Sequence, residues 1–119
     1  LDVNNVLDIF RRLSGLDSEQ AAYYMSFCTG AVSYVSSRLS GDADSSVTGQ
    51  AEYAAAALAY YRYMLMDASN NLSSEMKVGD ISMKADTFRA ADAAEKLCRD
   101  AFSAISRYLT DEGFAFRGV

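Results

Sequence analysis

The chain has 119 residues, half of them hydrophobic, a formal net charge of −5, and neither proline nor histidine. That length fits one domain able to bury a core without staples, and the hydrophobic share excludes an intrinsically disordered chain. The acidic balance, with a pI near 4.5, argues against a nucleic-acid reader and against docking on anionic membranes, since both need a basic footprint.

With no proline there is no obligatory helix breaker, which suits long helices. A first helix is expected over residues 3–14, where Val6, Leu7, Phe10 and Leu13 form a stripe close to helical spacing and Gly15 stands as the C-terminal stop. A second is expected to start after the N-cap Asp17, with Glu19 and Gln20 in its first turn, and to run unbroken to about residue 39. Ala21, Tyr24, Cys28, Val32, Val35 and Leu39 share its apolar face. Gly30 inside it costs roughly 1 kcal/mol relative to alanine, and a close helix crossing accounts for it. Gly41 and the polar residues 42–46 read as a connecting loop.

The third helix is expected over residues 49–69. Its middle, Ala54-Ala55-Ala56-Ala57-Leu58-Ala59-Tyr60-Tyr61, is apolar nearly all round, the pattern of a central helix. Tyr53, Tyr60, Tyr61 and Tyr63 bring large rings with polar tips to its borders. A polar loop over residues 69–75 follows. Residues 76–84 then alternate in part, with Val78, Ile81 and Met83 facing one way around Gly79-Asp80. They read as an extended strand or a small hairpin, too short to stand alone and in need of cover.

The fourth helix is expected from Asp86 or Thr87 to about residue 109, with Ala91, Ala94, Cys98, Ala101, Ile105 and Tyr108 on its apolar stripe and Leu97 and Leu109 beside it. Asp92 with Lys96 and Glu95 with Arg99 stand as i, i+4 pairs with the acid N-terminal, the favoured order. Residues 110–119 form an extended tail in which Phe114 and Phe116 alternate. The fold class is therefore all-α: a four-helix, bundle-like single domain with a short strand or β-hairpin between helices three and four.

Catalytic chemistry finds little to work with. The missing histidine removes the commonest general acid–base group near neutral pH and the commonest metal ligand. Lys77, Lys84 and Lys96 could in principle activate a serine, yet no local motif pairs them with one. Asp111 and Glu112 read as a solvated helix end rather than a catalytic carboxylate pair. Asp42 and Asp44 lack the terminal glutamate of a calcium loop, and no glycine-rich phosphate loop is present. Cys28 and Cys98 read as small buried residues; a disulfide would need an oxidising compartment, which nothing in the sequence implies. Tyr60, Tyr61 and Tyr63 around Arg62 suit packing better than an anion pocket, with Arg62 pairing to an acid at a helix border. No basic segment followed by an apolar run opens the sequence, so no signal peptide is visible, and the longest apolar stretch is too short to span a bilayer. The expectation is a non-enzymatic protein with no cofactor and no metal.

The order of elements, with Ala54-Ala55-Ala56-Ala57-Leu58-Ala59-Tyr60-Tyr61-Arg62-Tyr63, Lys77-Val78-Gly79-Asp80-Ile81-Ser82 and Asp111-Glu112-Gly113-Phe114-Ala115-Phe116-Arg117-Gly118-Val119, resembles the small head–tail connector (adaptor) proteins of tailed bacteriophages and prophages. The likeness covers about the last two thirds of the chain; the first helices agree in type and length only. The resemblance implies a structural protein of the virion's head–tail junction, assembled in the host cytoplasm. It implies a homo-oligomeric ring between the portal protein and the tail-completion proteins, through which DNA passes without sequence-specific binding. It implies no enzymatic activity, no cofactor and no membrane. Under it, Val78, Ile81 and Met83 are candidates for an intersubunit or portal contact, and Phe114, Phe116 and Arg117 for a docking tail. Two other readings stand beside it: a helical interaction or regulatory domain with no viral role, and a ligand-binding or enzymatic bundle with a deep polar pocket near Arg62.

Overall fold

The computed structural model describes the backbone of residues 1–41, 44–75 and 81–110, and the side chains of residues 1–41, 44–67 and 89–110. Five α-helices occur in it: α1 (Val3–Ser14), α2 (Ser18–Ala22), α3 (Met25–Arg38), α4 (Ser45–Glu75) and α5 (Ile81–Ala104), followed by a 3-10 turn at Ser106–Tyr108. Among the described residues there is no strand longer than one bridge, which joins Leu39 and Leu109 antiparallel.

The first helix forms as its spacing predicts. The Asp2 carboxylate accepts the Asn4 N–H at 2.8 Å, and Gly15 ends the helix at φ 75°, its N–H bonding the Arg11 carbonyl. Only glycine takes that left-handed conformation without strain. Asp17 caps α2 in a reciprocal capping box with Gln20.

The single helix expected over residues 18–39 is two. At Tyr23 and Tyr24 the backbone switches to i→i−3 hydrogen bonds, Tyr23 to Gln20 and Tyr24 to Ala21. The tightened turn brings the Tyr24 ring into an aromatic cluster with Phe10, Phe27 and Tyr63, centroids 4.8–6.3 Å apart. Edge-to-face packing of large rings offsets the poorer helical geometry.

Helix α4 starts four residues before the expected position. Asp44 supplies the cap, accepting the Ser46 N–H at 2.9 Å and the Ser46 hydroxyl. The same bonds hold its carboxyl below the usual carboxylate range. The helix also continues through the expected polar loop to Glu75. Its 31 residues span about 46 Å, and residues 54–59 are all buried. Helix α4 is thus the centre of the fold, with α5 packed along it and α1 and α3 against it.

The expected strand or hairpin is also corrected in part. Ile81, Ser82, Met83 and Lys84 lie in the first turn of α5, because no glycine or proline interrupts the sequence between Gly79 and Gly113 and nothing there opposes helix propagation. Residues 76–80, including Val78, lie outside the described residues. At its other end α5 stops at Ala104 rather than near residue 109. Ile105 bonds back to Phe102 and the chain turns outward to pair with α3's end.

The core joins Val6 and Phe10 of α1, Cys28, Ala31 and Val35 of α3, the α4 alanines with Leu58, and Cys98, Phe102 and Ile105 around α5. The two cysteines are free thiols.

Candidate functional site

Three features of the described surface and its underlying packing bear on function. The first is a polar–aromatic seam where α4 meets α3 and α5. Tyr61 hydrogen-bonds Glu95, and Glu95 pairs with Arg99 at 2.6 Å, the second of the two expected i, i+4 pairs. Burial, and then the Glu95 charge, push the Tyr61 hydroxyl's pKa above its ordinary value. Two guanidinium groups lie over the Tyr34 ring, Arg38 at 3.8 Å and Arg62 at 5.8 Å from its centroid, with Phe102 edge-on at 6.0 Å. Arg62 therefore stacks on an aromatic face, and among the described residues no carboxylate takes the pairing role expected for it. Tyr63 joins the cluster of Phe10 and Tyr24. The tyrosines around Arg62 fill space and anchor helices.

The second feature is a buried carboxylate. Glu52 of α4 is 8% exposed. It accepts the Asp2 backbone N–H at 2.8 Å and both its oxygens lie within 3.5 Å of the Asn5 amide nitrogen. A carboxylate at the start of α1 is favoured by the helix dipole as well as by these bonds. It clasps α1 onto α4.

The third is an apolar groove of about 400 Å³ between the first turns of α4 and the last turns of α5, lined by Gly49, Gln50, Tyr53, Leu97, Asp100, Ala101 and Ala104. Tyr53 is 37% exposed there. By sequence pattern Tyr53 stands at a helix border and Leu97 and Ala101 on or beside the core stripe. The outward signal was present nonetheless. Gly49 and Tyr53 stand four apart on one helix, and Leu97, Ala101 and Ala104 repeat at i, i+4, i+7 on the other.

Of the residues assigned to contacts from the sequence, Ile81 and Met83 are placed on α5's first turn, with their side chains outside the described set. Val78, Phe114, Phe116 and Arg117 lie wholly outside the described residues. Among the described residues no cluster of three or more His, Cys, Asp or Glu side chains forms a metal site, and no helix is long and apolar enough to cross a membrane.

No family model, curated protein or solved structure matches this chain.

Proposed function

We propose that this chain is a structural, non-enzymatic assembly protein of the phage head–tail connector type. In this reading, copies close into a ring between the portal and the tail machinery, and the genome passes through it. The observation that carries the reading is the arrangement around α4. The alanine-rich middle of α4 is buried, with α5 packed along the helix and α1 and α3 packed against it, so the surface around it is built from different elements. A ring needs such unlike faces, because each copy presents one surface to a different surface of the next. The resemblance of the alanine–tyrosine segment and of the aromatic tail adds to this. The net charge of −5 suits a channel that must not grip DNA by its phosphates.

The test is size by light scattering across a concentration series, alone and with a portal protein, followed by negative-stain imaging of the largest species. Closed rings with an open centre are expected. A compact dimer at every concentration, with no rings even beside a portal, overturns the reading in favour of a helical interaction domain.

A further inference from the structure

Tyr23 stands where α2 gives way to α3. It is 81% exposed, more than any other large hydrophobic residue among those described. Its backbone is still helical, at φ −62° and ψ −24°, so it shares a face with the exposed Glu19 one turn earlier, about 6 Å along the axis. Among the described residues neither the Tyr23 ring and hydroxyl nor the Glu19 carboxylate has a side-chain partner. A tyrosine offers a large ring at little conformational cost, and such residues anchor protein interfaces.

The α4–α5 groove carries the matching pattern. Tyr53, Leu97 and Ala101 give it apolar walls, and Asp100 lies in its lining. Lys96 precedes Asp100 by one turn on α5, again about 6 Å. Both are exposed, and among the described residues neither has an ion-pair partner; Lys96 does not take the Asp92 pairing expected from the sequence. The two faces are therefore complementary in one direction. With α2 parallel to α5, the Glu19 carboxylate meets the Lys96 amine while the Tyr23 hydroxyl donates to Asp100. With α2 reversed, Glu19 meets Asp100, and like charges oppose the contact.

One copy does not make this contact with itself. Tyr23 faces water in its own fold, and the adjacent Tyr24 contacts Tyr63, about 15 Å along α4 from Tyr53.

From this we infer that Tyr23 is the anchor by which one copy docks on the α4–α5 groove of the next, with Glu19 against Lys96 and the Tyr23 hydroxyl on Asp100. The inference rests on the ring reading above and names its intersubunit contact. A head-to-tail contact leaves one free anchor and one free groove on every pair, so it propagates until a ring closes.

The test measures self-association of the full chain by sedimentation velocity from micromolar to millimolar concentration. Tyr23→Ser should weaken association about tenfold or more. Gly49→Arg should do the same, because Gly49 lines the groove and a Cβ there meets no atom within 4 Å, so the new side chain fills the groove without disturbing the fold. An equimolar mixture of the two variants should recover one-to-one pairs, since the intact groove of the first takes the intact anchor of the second. Glu19→Lys and Lys96→Glu should each weaken association about threefold to tenfold, and the two together in one chain should restore it. Tyr23→Ser chains that associate as the wild type does overturn the inference and leave the ring reading standing. Variants that do not recover on mixing overturn it too. So does a wild-type chain that stays monomeric over the whole range, in which case the ring reading still faces its own test beside a portal.

Discussion

Leu39 and Leu109 face each other across a single antiparallel bridge that joins the end of α3 to the chain just beyond α5. Two backbone bonds of 2.7 Å close it, Ser40 N–H to Tyr108 and Thr110 N–H to Arg38, and the Thr110 hydroxyl adds a third to Arg38 at 3.2 Å. Seventy residues apart in sequence, these two leucines lock the last described turn onto the body of the fold.

Replacing Thr110 by proline removes the N–H that closes the bridge. The preceding Leu109 is already extended, at ψ 132°, so it tolerates a following proline. The loss should be about 1–2 kcal/mol in urea unfolding, with faster amide exchange at Ser40. Thr110→Val keeps the N–H and should cost clearly less. Equal costs for the two variants would assign the effect to the hydroxyl.

Glu52→Ala leaves the Asp2 N–H and the Asn5 amide without their acceptor. Both donors are exposed enough to turn to water, so the expected cost is near the low end for such a loss, about 1 kcal/mol. Glu52→Gln retains an acceptor oxygen and should recover part of it. Chemical denaturation with amide exchange along α1 reads both effects; unchanged exchange in the first turn of α1 would contradict the clasp.

Gly30 was expected to mark a close helix crossing. The structure instead shows it exposed, and a Cβ there would meet only the Arg62 Nη1 at 3.7 Å, an ordinary contact. Gly30→Ala should therefore stabilise the protein by roughly 0.5–1 kcal/mol through helix propensity. A destabilised variant in thermal unfolding would restore the close-crossing account.

Burial pushes the Cys28 thiol up to about 11 and the Cys98 thiol up to about 12, the Arg62 charge opposing the shift at Cys98. Unfolding exposes both to an ordinary thiol pKa of about 8.5. Above that value the unfolded chain loses these protons while the folded chain keeps them, so stability falls as pH rises toward 11–12 and is unaffected by these groups below about 8. Tyr61 and Tyr63, also raised by burial, act in the same sense at higher pH. Urea midpoints from pH 7 to 10.5 measure the decline, and Cys98→Ala should flatten it. A thiol reagent at pH 8 should label neither cysteine until the protein unfolds.

Much of the helical content was legible because it is a local property. The Asp2 and Asp17 caps, the Gly15 stop and the stripe from Val6 to Phe10 act within one or two turns. A run as apolar as residues 54–59 has no face to give to solvent, so its burial at the centre follows from composition alone. What only the tertiary structure decided is where local preference met a distant partner. The break at Tyr23–Tyr24 exists because Tyr24 finds Phe10 and Tyr63. The early end of α5 goes with Leu109 pairing with Leu39, a contact no local window contains. Ile81 and Met83 moved from a strand to a helix because a short alternating run reads either way until the helix beyond it extends back through them. The groove was hidden for the same reason: its two walls are separate helices, and only their antiparallel packing puts Tyr53 beside Leu97.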